Sequence, residues 1–311
     1  MYSSNKKVKW LGNCFLIYVF LFSACKSSPV EQTVPSLNEL ERYEGGRGIL
    51  VFAAQETEAD DFDIFLLDIK SAEVTKLTIH DGPDIAPSLS KDGKRLVYAA
   101  NVEGTYDIYT QDIPDGVPTV VAKVYTDETE PRFSPDEKTI VYQSEQYGDF
   151  DIFLTDIESG EATVLTETDS QDTQASWSPD GERLAFVSDR DGDFEIYLMN
   201  SDGSEIEQIT NNSEYDAAPV WSPDGKRIAF ISKHGERFQL FYLDLETGEE
   251  TQLTDLPSTI HSPTWSPSGK SIAFISDQIG SSRVLVLELK SGSIYVVSDE
   301  FAKYAGLSWA P

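Results

Sequence analysis

The stretch APVWSPDGKRIAFIS, Ala218 to Ser232, has a near copy 44 residues before it, QASWSPDGERLAFVS from Gln174 to Ser188, and another 44 residues after it, SPTWSPSGKSIAFIS from Ser262 to Ser276. The tryptophan's place is taken by Leu89, Phe133, Trp177, Trp221, Trp265 and Trp309, and every interval is again 44 residues. A period of ~40–45 residues suits a four-stranded propeller blade, whereas helical repeats carry a 3.6-residue apolar period.

One unit supplies four short strands. PVW (219–221) is strand A, KRIAFIS (226–232) strand B, FQLFYLDL (238–245) strand C and ETQLT (250–254) strand D. Ser222-Pro223-Asp224-Gly225 between A and B signals a type I turn, because proline pre-sets φ at the second position and glycine suits the fourth. ETGE (246–249) turns C into D, as ESGE (158–161) and SDGS (201–204) do in other units. Ile228 and Phe230 alternate along B, as do Leu184, Phe186, Ile272 and Phe274, and are predicted to pack sheet against sheet with the tryptophans as wedges.

The B–C–D triples begin near Gly48, Lys94, Lys138, Arg183, Lys226 and Ser271. The first triple has no strand A in front of it, and the last strand A, GLSWAP (306–311), has no triple behind it. Together the leftovers complete one blade and close a ring, which removes the open edges that template aggregation. Residues 46–311 are therefore predicted to be all-β: a monomeric six-bladed β-propeller of four-stranded blades, closed by the C-terminal strand A pairing with the N-terminal B–C–D strands.

The start of the chain is different text. MYSSNKKVKW carries Lys6, Lys7 and Lys9, LGNCFLIYVFLF (11–22) is a short apolar run, and SAC ends at Cys25. This is the pattern of an export signal, too short and wrongly flanked for a membrane-spanning helix. It resembles a bacterial lipoprotein signal, which implies cleavage after residue 24, lipidation of Cys25 and a membrane anchor in the cell envelope. Residues 25–45 are polar with two prolines and read as a flexible tether. Cys14 lies in the signal, so the propeller holds no cysteine and no disulfide or thiol chemistry.

A net charge of −30, from 24 basic and 54 acidic residues, excludes nucleic acid as a partner, because a phosphate backbone needs a basic stripe. The recurring WSPDGKRIAFxS with DGxFEIY behind it, as in WSPDGERLAFVSDRDGDFEIYLMN (177–200), resembles the WD-like repeats of the TolB propeller family. The resemblance covers nearly all of 46–311 and extends to the ending SWAP. It implies a propeller that docks another envelope protein, here with a lipid anchor expected in place of the α/β domain that precedes the propeller in TolB. No G-x-S-x-G elbow of a hydrolase occurs.

Consecutive strands alternate direction, so loops D–A and B–C share the face where the central channel opens, and turns A–B and C–D share the other. Five residues before each marker stand Asp84, Glu128, Asp172, Asp216, Ile260 and Tyr304. The B–C loops add Glu56, Glu58, Asp60, Asp61, Glu145, Asp149, Asp189, Asp191 and Asp193, while Lys91, Lys94, Arg95, Lys138, Arg183, Lys226, Arg227 and Lys270 gather at the A–B turns. Two readings follow: an acidic funnel that draws in a basic protein segment, or acids that cap turns. On the first, Asp84, Glu128, Asp172, Asp216, His261 and Tyr304 form the partner-binding mouth of a non-catalytic scaffold. The alternative is a channel that binds or processes saccharide from cell wall or polysaccharide, with Tyr215 and Tyr304 as stacking rings. No cofactor is implied, although Asp189, Asp191 and Asp193 alternate as in calcium loops, with the glycine at the fourth place instead of the sixth. The three histidines, His80, His234 and His261, fall on different blades and are too sparse for a metal enzyme.

Overall fold

Each 44-residue repeat folds as a meander because its β-rich runs are separated by turns and loops of two to seven residues whose glycines and aspartates reverse the chain. The computed structural model describes residues 40–43, 46–278 and 281–311. The predicted signal and Cys25 lie outside the described residues, as does the predicted tether apart from 40–43. Among the described residues every regular element is a strand.

Strands β1 (Ile49–Gln55), β2 (Asp63–Asp68) and β3 (Glu73–Lys76) are the first B, C and D strands. Five complete A–B–C–D units follow. They are β4 (Asp84–Leu89), β5 (Arg95–Asn101), β6 (Tyr106–Asp112) and β7 (Thr119–Ala122); then β8 (Glu128–Phe133), β9 (Thr139–Ser144), β10 (Asp151–Asp156) and β11 (Ala162–Val164). Next come β12 (Asp172–Trp177), β13 (Arg183–Ser188), β14 (Glu195–Asn200) and β15 (Glu207–Gln208), and β16 (Asp216–Trp221), β17 (Arg227–His234), β18 (Arg237–Asp244) and β19 (Glu250–Gln252). The last unit is β20 (Thr259–Trp265), β21 (Ser271–Gln278), β22 (Ser281–Glu288) and β23 (Ile294–Ser298), and β24 (Lys303–Ala310) is the final strand A.

The six sheets each hold four antiparallel strands, and the first has the order β24-β1-β2-β3. Ile49 pairs with Ala310 and Gln55 with Lys303, so the two ends of the chain close blade 1 as the sequence predicts. Blades 2 to 6 follow in chain order, and the six A strands touch one another in turn around the axis.

The core lies between blades. Ile228, Phe230, Leu184, Phe186, Ile272 and Phe274 are fully buried, as the alternation along B requires. Leu184 and Phe186 pack with Val141 and Ile152 of the preceding blade, and Ala185 and Leu198 pack with Trp221 and Ile228 of the next. Each such side chain contributes about 1.5–3 kcal/mol when fully buried. The markers are wedges: the Trp265 indole donates to the Val220 carbonyl one blade back (3.1 Å), and the Arg183 guanidinium lies 5.0 Å from the Trp221 ring.

Strand A starts earlier than PVW suggests. In all six blades its register shifts at a β-bulge, and Ala86, Glu130, Gln174, Ala218, Ser262 and Gly306 all have φ of 51–55° at equivalent places. Only Gly306 adopts this left-handed backbone without steric cost. The bulge is bridged between blades: Gln143 Oε1 accepts the Gln174 N–H (2.9 Å), and Gln174 Oε1 accepts the Ala218 N–H (2.8 Å). Extra strand length carries the residue before the bulge into the sheet, which decides the fate of the acids described below.

Residues 40–43 lie against the outer strand of blade 6. Arg42 forms a parallel bridge with Val296, the Tyr43 N–H donates to the Val296 carbonyl (3.0 Å), and the Val296 N–H donates to the Glu41 carbonyl (3.0 Å). Arg42 also pairs with Asp299 (2.8 Å), and the Tyr43 ring meets Tyr295 and Trp309. This part of the segment read as a tether covers an edge that would otherwise stay open.

Candidate functional site

The face carrying loops D–A and B–C is called the mouth face, and the other the turn face. The acids placed at the mouth by the repeat are the first residues of strand A, not loop residues. Asp84, Glu128, Asp172 and Asp216 open β4, β8, β12 and β16, and their exposures are 0%, 1%, 0% and 0%. They are inside the fold, each tied to its own D–A loop. His80 Nε2 lies 3.0 Å from Asp84 Oδ1, the Val124 N–H donates to Glu128 (3.3 Å), Thr168 Oγ1 donates to Asp172 (3.2 Å) and the Asn212 amide to Asp216 (2.9 Å).

Their charge states differ with their partners. Burial pushes the Asp84 carboxyl up to about 8, and burial with the neighbouring charge of Asp107 pushes Glu128 up to about 8. Burial also raises the Asp216 carboxyl, despite the hydrogen bond from the Asn212 amide. Asp172 instead meets the Arg190 guanidinium at 2.9 Å, and Arg190 in turn stacks on Phe186 (5.3 Å) and Tyr197 (5.0 Å). The arrangement matches the turn-capping reading: these acids are structural groups, with Asp84 and Glu128 leaning to the neutral form and Asp172 in a buried ion pair.

A second ring of buried groups escapes a search for exposed acids. Thr166, Thr210 and Thr254, spaced by the repeat, take the backbone N–H of Ile152, Ile196 and Leu240 at 2.8–2.9 Å. Asp151, Glu195 and Gln239, at the start of strand C, each accept the N–H two residues beyond that threonine (3.3, 2.7 and 2.8 Å). The recurrence of threonine and of acid or amide at 44-residue spacing is a signal present in the sequence. It reads as D–A loop scaffold.

The other candidates are placed as follows. His261 lies in β20, 3.0 Å from Ser262 Oγ and 3.1 Å from Asp277 Oδ2. Tyr304 is buried, its hydroxyl 2.6 Å from Ser298 Oγ and accepting the Glu300 and Phe301 N–H groups. Tyr215 stands between Phe194 (4.8 Å) and Phe238 (5.6 Å). Tyr304 therefore offers no open ring face for a sugar, and Tyr215 is half-buried. Asp189 Oδ1 accepts the Gln171 N–H (2.9 Å) and Asp191 accepts the Tyr197 hydroxyl (2.6 Å), while Gly192 closes a turn onto the Asp189 carbonyl. Among the described residues no three His, Cys, Asp or Glu side chains are placed to hold a metal ion, so Asp189, Asp191 and Asp193 do not converge as a calcium loop.

What the mouth face does expose is its loops. Glu56, Glu58, Asp60, Asp61, Asp191 and Asp193 are exposed, unlike the strand A acids. On the turn face two arginines are engaged between or within blades. Arg95 pairs with Glu137 of the next blade (2.9 Å) and stacks on Phe133 (4.9 Å), and Arg227 stacks on Tyr242 (5.0 Å). Between blades 5 and 6 a groove of about 230 Å³ is lined by Pro223, Asp224, Arg227, Trp265 and Ser268.

A closed ring of six four-stranded blades, with structural carboxylates at its mouth and acids on its outer loops, defines a six-bladed β-propeller with a presenting face. The profile of the TolB beta propeller domain matches residues 111–257 and 211–311, more than half of the chain, and the chain belongs to that family. No curated protein matches the sequence. Among solved structures it is similar to TolB from Acinetobacter baumannii, with 22% identity over 85% of this chain and 67% of that one and a TM-score of 0.75. It is similar also to a putative TolB from Agrobacterium tumefaciens, with 21% identity over 86% of this chain and all of that one and a TM-score of 0.68. An oligogalacturonate lyase in complex with manganese shares the fold at 18% identity over 84% of this chain and 78% of that one, with a TM-score of 0.59. The same architecture thus carries a lyase elsewhere, and fold alone does not choose between binding and catalysis.

Proposed function

We propose that the chain is a non-catalytic scaffold of the bacterial cell envelope, exported and held at the membrane through lipidated Cys25. It presents the mouth face of its propeller to another envelope protein or a basic peptide segment. The TolB-like propeller fold supports a protein-binding scaffold role, in which a rigid ring positions the loops that a partner meets. The observation that carries the reading is the set of exposed acids on the mouth-face loops, on a chain of net charge −30. Such a surface concentrates basic partners and speeds their encounter. Because Asp84, Glu128, Asp172 and Asp216 are buried, the acids a partner would meet are those of the loops.

The test is affinity purification of the tagged protein from its own cell envelope after mild crosslinking. A specific co-purified protein, whose yield falls when Glu56, Glu58, Asp60 and Asp61 are changed to the amides, supports the scaffold. Recovery of no protein, with retention on cell-wall saccharide fragments instead, would replace it with the saccharide reading. Cys25→Ser is expected to move the protein from the membrane fraction to the soluble one, and an unchanged membrane fraction would refute the lipid anchor.

A further inference from the structure

Departures from the repeat mark one sector of the mouth face. Four large apolar side chains stand in water there: Ile79 (89% exposed), Val102 (45%), Tyr125 (101%) and Tyr147 (56%). Several other repeats are polar at these places. Lys123, Glu167 and Asp255 correspond to Ile79, Gln146 and His234 to Val102, Asp81 and Asp169 to Tyr125, and Glu103 and Asp191 to Tyr147. The fold therefore does not require apolar residues at these positions.

The four residues sit on four successive loops, β3–β4, β5–β6, β7–β8 and β9–β10, and these loops are joined. The Asn101 N–H donates to the Pro83 carbonyl (3.0 Å), Lys123 Nζ meets Glu103 Oε2 (2.9 Å), and Thr126 Oγ1 lies 3.4 Å from Ser144 Oγ. Tyr147 is braced from behind by Phe153, 5.9 Å away and nearly parallel. The result is a strip of four exposed apolar side chains on joined loops of blades 2 and 3. Its surroundings are acidic: Asp81 and Glu103 are exposed, and Asp127, Glu145 and Asp149 are half-buried. The exposed base within these loops, Lys123, is already held by Glu103 and by Asp107 (3.2 Å).

We infer that this strip is the docking surface for an extended segment of a partner protein in which apolar side chains alternate with lysine or arginine. The inference rests on the scaffold reading above and narrows it to one sector. Exposed tyrosines make strong anchors because they bury large rigid area with little loss of rotamer freedom. The acidic surroundings complement a basic segment and select against an acidic one. A sugar would use the two tyrosine rings but has no use for the aliphatic Ile79 and Val102 or for the field around them, which favours the peptide.

The probe is a synthetic peptide alternating lysine with leucine, labelled for fluorescence anisotropy and titrated onto the full chain. Its comparators carry serine in place of leucine, or glutamate in place of lysine. The triple variant Ile79→Ser, Tyr125→Ser, Tyr147→Ser is compared with Val117→Ser, Ile206→Ser, whose side chains are exposed on the turn face. Both variants change only exposed side chains, and unchanged melting temperatures establish that each is folded. The expected result is binding of the lysine–leucine peptide alone, weakened about tenfold or more by the triple variant and unaffected by the turn-face pair. Equal binding of the lysine–serine peptide, or equal affinity of the two variants, would overturn the inference, since either outcome reduces the attraction to net charge. The two readings fail separately: an envelope partner retained by the triple variant sinks the strip alone, and absence of any partner with the wild type sinks the scaffold.

Discussion

The two faces of the ring carry aspartates at the same 44-residue period and treat them in opposite ways. On the turn face, Asp92, Asp136, Asp180 and Asp224 stand in the A–B turns, where hydrogen bonds from the turn's own hydroxyl or backbone N–H hold each carboxyl below the usual range. In the SPDG turn of blade 4, Ser178 Oγ donates to Asp180 at 2.6 Å and the Glu182 N–H at 3.0 Å. On the mouth face, Asp84 and Glu128 open a strand, sit beneath the surface and are pushed up to about 8 by burial. Position in the repeat thus says which loop an acid serves. Depth decides whether it carries a charge, and depth depends on where the bulge in strand A falls.

The sharpest break of that comparison is Arg190→Ala. It leaves the buried carboxylate of Asp172 without its cation and strips a stacked guanidinium from Phe186 and Tyr197. A loss of about 2–4 kcal/mol is expected in denaturant unfolding, and a loss below about 1 kcal/mol would mean the pair does not hold the mouth together.

Next in size is the pH dependence of stability, which has opposite signs on the two faces. Folded Asp84 and Glu128 keep protons that the unfolded chain releases near pH 4, so unfolding releases protons and stability falls as pH rises from about 4 to about 8. The turn-face aspartates have folded carboxyls below their unfolded values, so their contribution is present above pH ~4 and lost on acidification. A melting temperature that peaks in mildly acid solution is the expected signature.

Smaller still is Asp180→Ala on the turn face, which removes two hydrogen bonds from an exposed turn and is expected to cost about 0.5–1.5 kcal/mol. Tyr125→Ser, at a fully exposed loop residue, should change stability by less than about 0.5 kcal/mol, so any effect on partner capture is an effect on binding.

The propeller was legible because its signals are local and repeated: the marker spacing, the SPDG turns and the orphan strand at each end point to one closed ring. The strand A bulge was not, since Ala218, Gln174 and Glu130 carry no mark of a left-handed backbone and share only their place in the repeat. Missing the bulge put Asp84 and its counterparts in water. Arg190 was hidden for a related reason: among the acids of DRDGDFE it reads as one more turn residue, and only folding brings it to Asp172. The apolar strip could have been found by aligning the repeats and asking where an apolar residue replaces a polar one.

The most direct test of the central claim, that the mouth carboxylates are buried parts of the fold, compares the melting temperature of wild type with that of Asp84→Asn, Glu128→Gln across pH 4 to 9. The account predicts that the variant loses much of the fall in stability above pH 5 and melts higher than wild type at pH 8, by about 2–4 °C for each kcal/mol recovered. Parallel curves with the same slope would contradict it and return these acids to the surface as candidates for partner contact.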